Sequence, residues 1–383
     1  MADFDVLVSV GRVELVTAVQ FGLVLFLLAV VLRPIVHFIR RPYASNLTVL
    51  PHEPIKHFFW GSWPSDALTG GTYEKHLLNT IKKHGPVCAV TLLGRQPMVI
   101  VGDHRAVNKL LLKTPYNRVP FINNVFKRHG GDGLLTKDGA EHRRQRKVAH
   151  PAFTMPAVHD MGPVFHEKAG ELVSRLRQQV IDDDSKAAKQ YGARINVAPE
   201  IFSAALDIIG AAGFDYQFNS LRGSATSLEH AFHELVTLIS TGTVYGAVRA
   251  LFDKPVERVG QWLCLEEQRR LDTSKKLVMD ISNQLVRRAK ASGASGKDVL
   301  SLMVRANTSD ELKDHQRLSD AELAGLVPVF LFAGHETTAT ALSWSMLALI
   351  DPVNGKRTQE RLRKELSSDS SAWRDSGSAL DSL

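Results

Sequence analysis

Apolar positions follow three rhythms along this chain. From Leu15 to Leu32 they are nearly continuous, 18 residues broken only by Thr17 and Gln20. At ~1.5 Å per residue this run spans roughly 27 Å, close to a hydrocarbon core. Two short runs, Val87 to Leu93 and Met98 to Val101, flank Gly94-Arg-Gln-Pro97 and predict a pair of adjacent strands joined by a turn. Everything afterwards has helical period. Asp103 predicts a cap for a helix carrying Val107, Leu110 and Leu111, and Asp138 with Glu141 predicts a capping box on a helix that Pro151 closes. Further periodic stretches cover 158–181, 199–212, 228–239, 259–289 and 298–306. The longest opens on the capping box Ser319-Asp-Ala-Glu322 and runs from Leu323 to Ile350, 28 residues, or roughly 42 Å, enough to cross a domain.

This pattern divides the chain into an N-terminal segment (1–14), a transmembrane anchor (15–33), a linker stiffened by prolines (34–64), a mainly α domain with a small β-sheet (65–366) and a Ser- and Asp-rich tail expected to be disordered (367–383). Acidic Asp3, Asp5 and Glu14 precede the anchor with only Arg12 against them, whereas Arg33, Arg40 and Arg41 follow it. The positive-inside rule then places the remaining chain in the cytosol, and a cleaved signal would want the opposite flanks.

Composition narrows the picture only a little. A chain of 383 residues with 44% hydrophobic content can fill one large core or two ordinary ones. The net charge of +7 admits nucleic acid, an anionic membrane or an acidic protein as partner and chooses none of them. Two cysteines exclude a disulfide framework and suit a reducing compartment, with Cys88 and Cys264 as small buried hydrophobes.

The candidate chemistry lies inside the longest helix. Ala333-Gly-His-Glu-Thr-Thr338 puts polar and ionisable residues where the periodicity predicts core, and a buried Glu336 would need a partner or a proton. Ala333 and Gly334 would leave bare backbone for a flat cofactor, and Thr337 can bond back to a preceding carbonyl and open a groove. His335-Glu336 does not make a zinc-peptidase helix, because Ala339 stands where the second His belongs. His230 and His233 share a face but lack a third metal ligand. Glu336 at mid-depth and the capping box favour a buried core helix over a second membrane span.

Ala333 to Thr338 resembles, position by position, the oxygen-binding motif on the central helix of microsomal cytochrome P-450 (haem-thiolate) monooxygenases. A second stretch, His142-Arg-Arg-Gln-Arg146-Lys-Val-Ala-His-Pro151-Ala-Phe153, is similar to the helix of that family whose aromatic or His residue and Arg bind the haem propionates. Residues four apart share a helix face, and the Arg fork matches a carboxylate. Many members carry Trp where this chain has His142, which still donates a hydrogen bond. Arg118 sits where the family often has another propionate-binding Arg.

The resemblance implies a cytochrome P-450 fold with haem b. Glu336 and Thr337 would relay protons so that the O–O bond breaks heterolytically. His142, Arg146, Arg118, Ala333 and Gly334 would bind the cofactor, and NADPH electrons would arrive through a reductase, with the exposed cations beside Arg146 suited to an acidic donor. The substrate would be a lipophilic small molecule met by residues 120–133 and the helices near Phe232 to Phe252, with no nucleic acid involved. The site would be the cytosolic face of the endoplasmic reticulum membrane, reached by the single-pass anchor.

No metal ligand is assigned. The family's axial cysteine lies in a Gly- and Arg-containing loop after a Glu-x-x-Arg helix, and neither Cys88 nor Cys264 is placed that way. Glu360-Arg-Leu-Arg363 has the letters, but Lys364-Glu365 and a polar tail follow, so the match reads as coincidence. The expectation is therefore a P-450 domain that is C-terminally incomplete, with apolar surface left bare and doubtful activity. The alternative is a catalytically inactive, membrane-tethered helical fragment.

Overall fold

The computed structural model describes residues 46–58, 61–62, 73–92, 96–113, 116–117, 131, 133–183, 193–223, 226–239, 253–263 and 265–368, with isolated positions within 32–40 and at 123 and 127. The expected anchor, apart from its last two residues, lies outside them, as do Arg118, Cys264 and the tail from 369. The chain forms two compact units, Met1–Tyr116 and Asn117–Leu383.

In the first unit, helix α1 (Tyr73–His84) packs on a two-stranded antiparallel sheet, β1 (Val87–Leu92) and β2 (Gln96–Val101). Alternation sends Cys88 and Val90 of β1 inward with Ile100 of β2, against Leu77 and Ile81 of α1. Asp103 caps α2 (His104–Lys113) as expected, its Oδ2 accepting the Ala106 N–H at 2.7 Å. The stretch assigned to a linker is corrected in part. Pro51 accepts the Ala89 N–H at 2.8 Å, Glu53 donates its N–H to Ala89 at 3.1 Å and Ser62 donates its N–H to Thr91 at 2.8 Å. These segments border β1 because an edge strand offers unpaired backbone groups. The buried Glu53 carboxylate meets Lys56 at 3.1 Å, Lys83 at 3.0 Å and His84 at 2.6 Å. Burial alone would raise its pKa, but these three partners outweigh that and hold it at about 2.

The second unit is helical among its described residues: α3 (Gly139–Ala149), α4 (Met155–Asp160), α5 (Gly162–Asp182), α6 (Val197–Phe214), α7 (Ser227–Ile239), α8 (Asp253–Trp262), α9 (Glu266–Ala291), α10 (Val299–Thr308), α11 (Asp320–Leu349) and α12 (Gly355–Ser368). The predicted stretch 259–289 is two helices, α8 and α9, and 158–181 is divided between α4 and α5, with Pro163 opening the second. Pro151 ends α3 through a short 3-10 turn. Asp138 makes no side-chain cap bond, contrary to the expected capping box, and the Glu141 carboxylate pairs with Arg144. The region read as an interrupted, polar join is a turn at Asp351, whose carboxylate accepts the Asn354 N–H at 2.9 Å, followed by α12.

The core is built where α6 crosses α11, with α9 flanking α11 and α5 flanking α6. Helix α6 is long and apolar enough to span a membrane by composition, yet Leu206, Ala204 and Ala205 are buried in this seam. Helix α11 begins at a firmly held point. Its capping box forms as predicted, and Arg144 bonds the Arg317 carbonyl at 2.8 Å and pairs with Glu322. Asn307 of α10 clasps the preceding residue, Nδ2 donating to the Leu318 carbonyl at 2.9 Å and Oδ1 accepting the Leu318 N–H at 2.7 Å. All four of these atoms lie in buried residues. Replacing Asn307 by Ala therefore strands two backbone groups, and the expected loss is roughly 2–4 kcal/mol, read as a lower urea midpoint with unchanged m-value.

Candidate functional site

Helix α11 presents two faces at the motif. Leu331, His335 and Ala339 are buried, one helical repeat apart, towards α6 and α7. On the other side Ala333 is partly buried and Glu336, Thr337 and Thr340 are exposed. The expectation that Glu336 interrupts the core is thus overturned, since it stands about 100° around the helix from His335. The residue that breaks the apolar rule within the core is His335.

Its ring is 5% exposed, with Nε2 3.2 Å from the Phe202 carbonyl of α6. A carbonyl only accepts, so Nε2 carries the proton. Phe202 and Phe232 meet the ring edge-on at centroid distances of 5.5 and 5.6 Å, and His233 of α7 lies at 6.1 Å. Burial, helped by the neighbouring His233, pushes the His335 pKa down to about 4 against the opposing Phe202 bond. Nothing in the periodicity pointed to this histidine, because a single His on an apolar face reads as ordinary core.

Gly334 is a second correction. A Cβ there would stand 2.7 Å from Ile209 Cδ1 and 2.9 Å from its Cγ1, so its bare backbone admits α6 and not a flat cofactor. Thr337 behaves as predicted, donating from Oγ1 to the Ala333 carbonyl at 2.6 Å. Ala333 is the small residue that keeps the open face low beside it.

Towards the N-terminal end the same face, continued by Leu326 and Val329 at helical spacing, is covered. The turn at Gly133 lies so close that a Cβ would come within 2.8 Å of Val329 Cγ2 and 3.0 Å of the Gly325 carbonyl. Phe153, just after α3, contacts Phe330 at 5.3 Å between ring centroids. The end of the segment assigned to substrate contact therefore does reach this helix face.

On α3 the four cations separate by role. Arg144 is the structural tie to α11, a part that sequence reasoning gave to a solvated face. Arg146 is exposed, and its guanidinium makes no ion pair or hydrogen bond with a described residue. His142, four residues earlier, is partly buried. Arg143 is exposed and Lys147 reaches Gln316 at 3.2 Å. Gln145 is fully buried, and both of its amide atoms lack a partner among the described residues. Cys88 is 0% exposed between β1, β2 and α1, and burial raises its thiol pKa, with Glu53 adding to the effect. It is packing, as expected, and no candidate thiolate. Among the described residues no group of three or more His, Cys, Asp or Glu could hold a metal ion.

The motif thus lies on a core helix that an arginine of α3 ties down at its start, within a mainly α domain, and comparison with known proteins gives the family. The cytochrome P450 family profile matches residues 51–370, and the chain belongs to that family. It is 29% identical over 346 residues to cytochrome P450 monooxygenase 128 of Postia placenta, covering 85% of this chain and 60% of that protein. Cytochrome P450 monooxygenase 205 of the same fungus is 30% identical over 384 residues, covering 94% and 64%. Cytochrome P450 monooxygenase ptmK of Penicillium ochrochloron is 28% identical over 330 residues, covering 85% and 62%. The chain thus spans about three-fifths of the length of these relatives.

Two outcomes test this geometry. Gly334→Ala should destabilise the protein and Ile209→Ala should relieve the clash, giving a coupling of roughly 1–3 kcal/mol in a double-mutant unfolding cycle. His335 also makes stability depend on pH. Its folded pKa lies below the ordinary 6.5, so the unfolded state binds the extra proton between the two values and stability rises with pH there. The contribution is complete above pH 6.5 and lost on acidification towards about 4, at a slope of up to about 1.4 kcal/mol per pH unit. Urea midpoints for His335→Phe should be flatter than wild type across this window.

Proposed function

We propose that this chain contributes the oxygen side of a haem-dependent monooxygenase acting on a lipophilic substrate. The observation that carries the reading is the shared open face of Ala333, Glu336 and Thr337, at the point where α11 passes from its buried first half to its largely exposed second half. Haem fits the residues present in two respects. Arg146 and His142 supply cationic and N–H donors of the kind that propionates need, and Ala333 leaves room against the helix. It does not fit Cys88, so the axial ligand is not drawn from that residue.

When bound, haem supplies dioxygen activation. The chain's own part is to hold a proton path at the Glu336 carboxylate and the Thr337 hydroxyl. The Thr337 proton is already committed to the Ala333 carbonyl, which leaves the Oγ1 lone pairs to accept from water or substrate. Glu336, on the solvent side of the same turn, can exchange protons with bulk water. Exposed Arg143 and Lys147 suit docking of an acidic, NADPH-dependent reductase. The apolar run from Leu15 to Leu32 supports a single-pass anchor in the endoplasmic reticulum membrane with the helical unit in the cytosol.

The rival reading is an inactive membrane-tethered helical protein. Ferric haem titrated into the chain decides the first point. Arg146→Ala should weaken binding roughly 10- to 100-fold, the size of one lost charge-assisted contact, while Arg143→Ala should not. Absence of saturable binding, or equal losses in both variants, would sink the haem reading. In reduced, haem-loaded protein under carbon monoxide, a thiolate-type difference band supports the monooxygenase and its absence supports the inert reading.

A further inference from the structure

We infer that His335 is the positioning residue of the open face: its single directional bond to the Phe202 carbonyl fixes the rotation of α11 that turns Ala333, Glu336 and Thr337 outward together. The inference rests on the functional reading given to that face and adds the part that sets it. Apolar contacts hold two helices together through many weak attractions of little directionality, so the steric fit of Gly334 on Ile209 sets the approach of the axes more sharply than their rotation. A hydrogen bond between N–H and carbonyl weakens steeply once its angle is lost. Among the contacts described where the motif meets α6, the His335 bond is the directional one. The remainder are Gly334 against Ile209 and the Phe202 ring meeting His335 edge-on.

Consecutive residues differ by about 100° around the axis, so a rotation of half that step would bring Glu336 towards the covered flank. A phenylalanine would fill the space of His335 and keep both edge-on contacts without the cost of burying ring nitrogens. A histidine at this position is therefore explained by what its N–H does. The groups facing it are Phe202 from α6 and Phe232 and His233 from α7, and of these only His233 can carry charge.

The test compares wild type, His335→Phe and His335→Gln, whose amide can reach the same carbonyl. Amide hydrogen exchange is followed in the full chain without haem. In H335F the segment 333–341 should exchange about tenfold faster, the scale of one lost hydrogen bond, while 323–331 of the same helix is unchanged and H335Q returns to wild type. In haem-loaded protein the carbon monoxide stretching band, which senses the polar groups facing the ligand, should shift in H335F and return in H335Q. If H335F does not fold, His335→Asn, too short to reach the carbonyl, replaces it. Unchanged exchange in 333–341, or a shift that Gln does not rescue, overturns the assignment. Absence of any carbon monoxide band counts against the haem reading alone, and the exchange measurement then decides the role of His335.

Discussion

The seam between α6 and α11 is the constraint on which the second unit depends. Two helices approach closely only where one of them gives up side-chain volume, and Gly334 does so opposite Ile209. Ala339, fully buried one turn on, repeats the concession beside Ile201 and Ala205. This packing brings the axes near, and the bond from His335 to the Phe202 carbonyl sets the rotation at that distance. The display of Glu336 and Thr337 thus follows from what holds the reverse of the helix.

The two ends of α11 are secured differently. At its start, backbone groups are satisfied by the Ser319–Glu322 box, by the Arg144 fork and by the clasp of Asn307 on Leu318. These are polar, directional contacts made from α3, α10 and the helix itself, so three elements share one reference point. At its end, α12 folds back and Gln359 donates to the Leu349 carbonyl at 2.6 Å. Between them the open flank carries the large exposed side chains of Trp344 and Leu347. An apolar groove lined by Ile201, Leu347, Leu362 and Leu366 adjoins it, so apolar surface concentrates at this end of the unit.

Much of this was readable from residue order. Period and capping chemistry located α11, α10 and the strand pair to within a few residues, because such signals are local and Ser319, Asp298 and Asp103 act on neighbouring backbone. The orientation of the motif was less legible. Periodicity over a uniformly apolar helix does not say which flank meets a neighbour, so Glu336 was taken for a core residue and His335 passed over. Gly334 was misassigned for the same reason, since a glycine's bare side has meaning only once Ile209 is known to face it. Arg144 and Arg146 look alike in sequence, and only the position of Glu322, 178 residues away, tells the tie from the exposed cation.

The Glu53 cluster has a consequence for how the molecule meets acid. A carboxylate held at about 2 keeps its charge where ordinary glutamates have lost theirs. Its stabilising pull is complete above the usual 4.5 and is lost progressively from there down to about 2. The strap 51–53 that it fastens beside β1 therefore outlasts the mildly acidic range in which the neutral imidazole of the helical unit is challenged. Acid tolerance is graded along the chain, and the small sheet-bearing unit is fitted with the hardier fastening.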